Sequence, residues 1–285
     1  MAQFTNQAQL SYNGAVVNSN VVVGEISEVL SAAKNAVGNT YGANDSITYA
    51  VSAVNSGATA VTGVTVSDDL GAYTFGADTL YPLAYVDGSV QLYLNGVLQP
   101  APTVEDGPPL VFGGITIPAG GSMVLIYKTR VTQFASFDAD ASIVNTATLT
   151  GGGIPSPIVV SETVTPTASP DLTITKSVEP VPVADNGRLT YRFVIRNFGN
   201  TAATAEDNVS VRDLFDPALD DLTVTFNGTT WTEGVEYTYT ATSGQLVTTP
   251  GQITVPAATF VRDPESSAWS VEPGVVTLTV SGTII

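Results

Sequence analysis

Apolar and polar residues alternate with a period of two along most of this chain. In RLTYRFVIRNFG, Tyr191, Phe193, Ile195 and Asn197 alternate with Arg192, Val194 and Arg196, the pattern of a strand with one buried face. Val64, Val66 and Asp68 share one face of GVTVSDDL, and Val209, Val211 and Asp213 share one face of NVSVRDLF. Such runs are rich in Val, Ile, Thr, Tyr and Phe and are punctuated by Gly and Pro. The best helical candidate, Ser27 to Val37, aligns with a strand-like run later in the chain. The pattern predicts an all-β protein of short strands arranged as immunoglobulin-like β-sandwiches.

The pattern also repeats. FTNQAQLSYNGAVVNSNVVVGEI (Phe4 to Ile26) returns as IVNTATLTGGGIPSPIVVSETV (Ile143 to Val164), with Asn6/Asn145, Ala8/Ala147, Leu10/Leu149, Val23/Val160 and Glu25/Glu162 in register. Each copy reads as two strands around a Gly-containing turn. Each is followed by a strand carrying a lysine, Lys34 or Lys176, and then by a body with matched positions: Tyr49/Tyr191, Asn55/Asn197, Gly57/Gly199 and Asp68/Asp213. Three segments follow: an N-terminal donor hairpin over 1–26, a first sandwich over 27–165 and a second over 166–285. TPTASPD (Thr165 to Asp171) links the two bodies. The second hairpin can complete the first body. The first hairpin has no body before it, and no hairpin follows the second body up to Ile285, so the second sandwich is expected to be an incomplete acceptor.

The length of 285 residues suits two domains, and 44% hydrophobic residues suffice for two cores. A net charge of −17 argues against nucleic acid and anionic membrane surfaces, which recruit basic patches. The acidity fits a solvated surface. A calcium role, suggested by Asp138, Asp140 and the run Asp216 to Asp221, lacks the spacing of a known calcium loop. Cys and His are both absent, which excludes disulfides, thiolate metal sites and Ser-His or Cys-His nucleophile pairs. No cofactor is expected. No apolar run reaches membrane-spanning length, and the first residues do not read as a signal peptide.

The run DLTITKSVEPVPVADNGRLTYRFVIRNFGNTAATAEDNVSVRDLFDP resembles the bacterial surface repeat called domain of unknown function eleven. Its T-K-S-V opening (Thr175 to Val178), T-Y…N-x-G strand (Thr190 to Gly199) and V-x-V-x-D strand (Val209 to Asp213) are present in the second body, and its closing N-T-A strand is not. The first body is looser, with AAKNAV at the opening and DDL at the aspartate. The resemblance implies a stalk-like, non-enzymatic sandwich on a cell surface. The layout is also similar to Gram-positive pilin and adhesin domains that cross-link themselves through Lys-Asn isopeptide bonds.

The chain has three lysines, and two of them, Lys34 and Lys176, hold the same repeat position. Alternation places both on apolar strand faces, beside Leu30 and Ala32 or Leu172 and Ile174. Asn145 lies on the inward face of its strand with Ile143, Ala147 and Leu149, and Asn6 on that of Phe4, Ala8 and Leu10. Asp68 and Asp213 end the Val-x-Val faces. A Lys, an Asn and an Asp are thus directed inward from three strands of each repeat. Burial depresses a lysine pKa and raises an aspartic acid's. A neutral amine can attack the Asn amide while the acid polarises its carbonyl, expelling ammonia. The expected bonds are Lys34–Asn145 within the chain, assisted by Asp68, and Lys176–Asn6 between chains, assisted by Asp213. The plainer alternative has the lysines snorkelling from strand ends and the aspartates as ion-pair partners. Lys128 has no partner at repeat spacing and is expected to be exposed, Asn55 and Asn197 are expected to be turn residues, and Trp231 and Trp269 to be packing residues. The sequence therefore reads as a structural subunit of an extracellular filament on a bacterial cell or spore, polymerising with itself. The alternatives are a monomeric adhesin or stalk module, and an enzyme or carbohydrate-binding domain using its acidic loops.

Overall fold

The computed structural model describes residues 2–26, 29–152 and 154–285. Apart from one 3-10 turn at Ala205–Asp207, the regular structure among them is β-strand, in line with the sheet-forming alternation. The chain divides into two compact units, residues 1–135 with 142–165, and 136–141 with 166–285.

The first unit opens with a hairpin in two rungs, β1 (Ala2–Asn6) against β4 (Val22–Ile26), and β2 (Gln9–Tyr12) against β3 (Ala15–Asn18). The strands that follow are β5 (Leu30–Val37), β6 (Thr40–Tyr41), β7 (Ser46–Asn55), β8 (Val61–Asp68), β9 (Tyr73–Phe75), β10 (Asp78–Leu80), β11 (Leu83–Tyr85), β12 (Gln91–Leu94) and β13 (Val97–Gln99). Next are β14 (Thr103–Glu105), β15 (Leu110–Ile117), β16 (Ser122–Val131), β17 (Ile143–Thr150) and β18 (Ile158–Pro166). One sheet has the order β13-β12-β16-β7-β5, with β11 also on β16, and the other has β14-β15-β8-β17-β18-β6. Inward residues such as Tyr49, Val51, Val66, Phe112, Leu125 and Leu149 are almost wholly buried. Each buried aliphatic or aromatic side chain contributes about 1.5–3 kcal/mol relative to exposure.

The second unit comprises β19 (Leu172–Glu179), β20 (Arg188–Asn197), β21 (Arg212–Leu214), β22 (Leu219–Phe226), β23 (Thr229–Thr230), β24 (Tyr237–Thr240), β25 (Gln245–Thr248), β26 (Thr259–Arg262), β27 (Trp269–Glu272) and β28 (Gly274–Ile284). Its larger sheet, β19-β20-β28-β22-β23, repeats the order of the first unit's β5-β7-β16-β12-β13. The register repeats as well: Lys34 lies opposite Val51 and Lys176 opposite Phe193. The smaller sheet, β24-β25-β21, matches β14-β15-β8 and then stops. In the first unit β8 goes on to pair with β17. Among the described residues no strand pairs with the corresponding edge of β21, and none stands there in the place of β17 and β18.

Candidate functional site

The first unit gathers Lys34, Asp68 and Asn145 on facing sheets. β5 directs Lys34 inward between outward-facing neighbours, and its side chain is fully buried. Lys34 Nζ lies 2.5 Å from Asp68 Oδ2. The Tyr127 hydroxyl donates to the same oxygen, while the Leu70 N–H donates to Oδ1 at 2.9 Å. Burial pulls the Lys34 pKa below its usual 10.5, against the opposing pull of Asp68. Burial, reinforced by the Asp68 charge, drives Tyr127 well above 10.0.

Asn145 comes from β17, whose Ala147 lies opposite Asp68. Alternation puts Asn145 and Ala147 on the same buried face. The Tyr49 ring links the groups: its centroid is 4.9 Å from Lys34 Nζ, and its hydroxyl faces the Asn145 amide without a well-formed hydrogen bond. Three asparagines are buried among the described residues, and their bonding separates them. Asn55 donates to the Thr59 and Pro118 carbonyls and accepts from the Gly57 N–H. Asn197 does the same with Thr201, Pro256 and Gly199. Both are turn clamps. Asn145 has no hydrogen-bond partner for Oδ1 or for Nδ2. A buried amide left in this state costs about 1–3 kcal/mol per unsatisfied group. The two turn asparagines are bonded; Asn145, on the strand next to that of Asp68, is not.

Three further residues belong to this site. Tyr127 and Tyr49 wall it, and Asp69 pins β17 in place. The Asp69 N–H donates to the Thr146 carbonyl at 3.0 Å and Asp69 Oδ1 accepts from the Thr146 N–H at 2.9 Å. Tyr49 was visible through its repeat partner Tyr191. Asp69 was visible only as the second acid of SDDL, and Tyr127 carried no signal because its counterpart opposite Tyr191 is Val280.

The second unit pairs Lys176 with Asp213, but in the open. Their side chains are 38% and 18% exposed, against 0% for Lys34 and Asp68. Lys176 Nζ lies 4.5 Å from the centroid of Tyr191, 5.5 Å from Phe193 and 5.2 Å from Phe215. Ile174, on the same strand face, is 52% exposed. Lys176 thus lies against aromatic rings and Asp213, but among the described residues its face is only partly covered. Asn6 is exposed on the N-terminal hairpin and is not brought to Lys176 within this chain's described contacts. Lys128 is exposed, and Trp231 stacks on Phe226 at 5.1 Å. Among the described residues no group of three or more acidic side chains is placed to hold a metal ion, and no helix is long and apolar enough to cross a membrane.

No family model matches the chain, and no curated protein matches it. The likeness to domain of unknown function eleven thus rests on the quoted motifs alone. Among solved structures, the chain is similar to the pilus backbone RrgB from Streptococcus pneumoniae, at 11% identity and a TM-score of 0.35 over 86% of this chain and 55% of that one. It is also similar to BcpA, the major pilin subunit of Bacillus cereus, at 11% identity and a TM-score of 0.36 over 95% of this chain and 73% of that one. A collagen-binding domain from a Staphylococcus aureus adhesin matches at 13% identity and a TM-score of 0.31, over 50% of this chain and 99% of the domain. The chain spans about half the length of the pneumococcal structure.

Proposed function

We propose that this protein is a structural subunit of an extracellular bacterial filament, polymerising head to tail by donation of its N-terminal hairpin. The observation that carries this reading is a matched pair of defects. The hairpin exposes Phe4, Leu10, Tyr12, Val16, Val22 and Val23, each by half or more of its surface. Among the described residues the second unit presents an unpaired β21 edge and a partly covered apolar face. An isolated hairpin is marginal in water, and an open edge invites another strand. The sequence likeness of the hairpin to β17 and β18 makes it the natural occupant of the vacant position, by strand addition. A head-to-tail contact that does not close on itself gives a fibre.

In the same reading the buried groups form isopeptide bonds. Within the first unit, the proton shared by Lys34 and Asp68 moves to the carboxylate and leaves a neutral amine and an acid. The amine attacks Asn145 Cγ while the acid donates toward Oδ1. Collapse breaks the Cγ–Nδ2 bond, and Nδ2 leaves as ammonia with the proton lost by the amine. The docked hairpin brings Asn6 to Lys176 and Asp213 for the equivalent bond between subunits. The test is electron microscopy of the purified chain beside a form lacking residues 1–24. Filaments from the full chain and only short soluble species from the deletion are expected. Filaments from both would end the donation reading, and a monodisperse full-length monomer in size exclusion would make the hairpin an intramolecular plug.

A further inference from the structure

The free hairpin and its in-domain counterpart share a sequence but not a register. In the first unit Asn145 lies opposite Glu162 and Ala147 opposite Val160. The matched positions would put Asn6 opposite Glu25 and Ala8 opposite Val23. In the free hairpin Asn6 lies opposite Val22, and Thr5 opposite Val23. The outer rung is therefore displaced by three residues, and an odd displacement turns one strand's faces over. Val22 and Gly24 now share the face of Phe4 and Asn6, where the counterpart arrangement requires Val21, Val23 and Glu25.

Two features hold the displaced register. Asn13 and Gly14 form the tip, with φ of 44° and 74°, the two-residue turn that Asn-Gly favours and that matches strand twist. The counterpart hairpin instead crosses between Thr150 and Ile158 by a longer loop. The tip turn fixes the inner rung, with Gln9 opposite Asn18 and Leu10 opposite Val17. Lower down, the Phe4 ring covers the space that a Cβ on Gly24 would take. That stores against glycine a side chain whose counterpart, Ile143, is 3% exposed. With both hairpin faces in solvent, no core enforces another register.

We infer that the free hairpin is latched in a docking-incompetent register by the Asn13-Gly14 turn, and that it must re-register to enter an acceptor. This rests on the donation reading. The latch keeps the Asn6 face from assembling with Val23 and Glu25 before an acceptor is present, and it places a conformational step ahead of elongation.

The absence of native cysteine allows a direct test with paired substitutions. Gln9→Cys with Asn18→Cys bridges a pair that faces across the strands in the free register. Gln9→Cys with Val22→Cys bridges positions matched to Thr148 and Val159, which are opposite each other in β17 and β18. Filament growth is followed by light scattering, with the 1–24 deletion alongside. The oxidised Gln9/Asn18 variant is expected to grow at least tenfold more slowly than wild type and to recover on reduction, whereas the oxidised Gln9/Val22 variant grows at or above the wild-type rate. Gly14→Val, which the left-handed tip disfavours, is expected to shorten the lag. Undiminished growth of the oxidised Gln9/Asn18 variant overturns the latch but leaves donation standing. Growth of the deletion form overturns donation itself.

Discussion

Tyr127 and Lys34 share one oxygen: the Tyr127 hydroxyl and Lys34 Nζ both contact Asp68 Oδ2. In the proposed reaction the second hydrogen bond holds the carboxyl while the lysine moves to Asn145. A hydrogen bond to a charged group contributes about 1.5–3 kcal/mol, or roughly one to two decades in rate. Tyr127→Phe keeps the ring that packs on Phe112 at 5.0 Å. It is expected to fold and to form the Lys34–Asn145 bond roughly ten to a hundred times more slowly. Intact mass taken over time after refolding gives the rate, and a wild-type rate would remove Tyr127 from the chemistry.

Mass also separates the partners. The wild type is expected to weigh one ammonia less per intramolecular bond than its sequence, whereas Asp68→Ala, Lys34→Ala and Asn145→Ala retain the full mass. A wild-type mass equal to the sequence mass would exclude the bond.

Two of these bond-deficient variants, Asn145→Ala and Asp68→Ala, should differ in stability. Asn145→Ala loses the cross-link, about 2–4 kcal/mol in the chain-entropy account, but also removes an unsatisfied amide. Asp68→Ala loses the cross-link and strands a buried lysine, which costs about 3–5 kcal/mol more. Denaturant unfolding is therefore expected to rank wild type above Asn145→Ala, and Asn145→Ala above Asp68→Ala. The reverse order of the two variants would contradict the buried pairing.

Alkaline titration gives a further check. In Asn145→Ala, Lys34 remains free with its pKa lowered from 10.5 by burial. Between that lowered value and 10.5 the unfolded chain binds more protons at this site, so stability rises with pH. Tyr49 and Tyr127 act in the opposite sense. Their pKa values are raised above 10.0 by burial, so above that pH the unfolded chain releases protons that the folded chain retains, and stability falls. The variant is expected to gain stability toward about pH 10 and then lose it. Wild type, its Lys34 consumed in an amide, should show only the loss; equal rising limbs in both would argue that Lys34 is free in each.

Between subunits, the proposed docking of a hairpin would bury the partly exposed Lys176 and Asp213. Boiled wild-type filaments are expected to run as a ladder in a denaturing gel, and Asn6→Ala, Lys176→Ala and Asp213→Ala to collapse to one band. A single band from intact wild-type filaments would leave a purely non-covalent fibre.

Much of this was legible in the chain because period-two alternation is a local property. The inward face of β7 and the approach of Lys34 to Asp68 follow from which residues alternate and which positions repeat. The status of Asn145 was not legible. It shares its residue type and its burial with Asn55 and Asn197, and only the surrounding carbonyls and N–H groups decide that two are satisfied and one is not. Tyr127 was hidden because the second unit has Val280 in its place, so repeat matching had nothing to align.

The sequence by itself determined that the chain is all-β, that it holds two related bodies, and that one hairpin-like segment is present twice. Those features depend on side-chain pattern alone. Only the tertiary structure decided that Lys34 is dry while Lys176 is wet, because burial depends on whether a strand from elsewhere covers the face. It alone also decided the register of the free hairpin. The same residues can pair in two ways, and without a core on either face the Asn13-Gly14 turn is left to select between them.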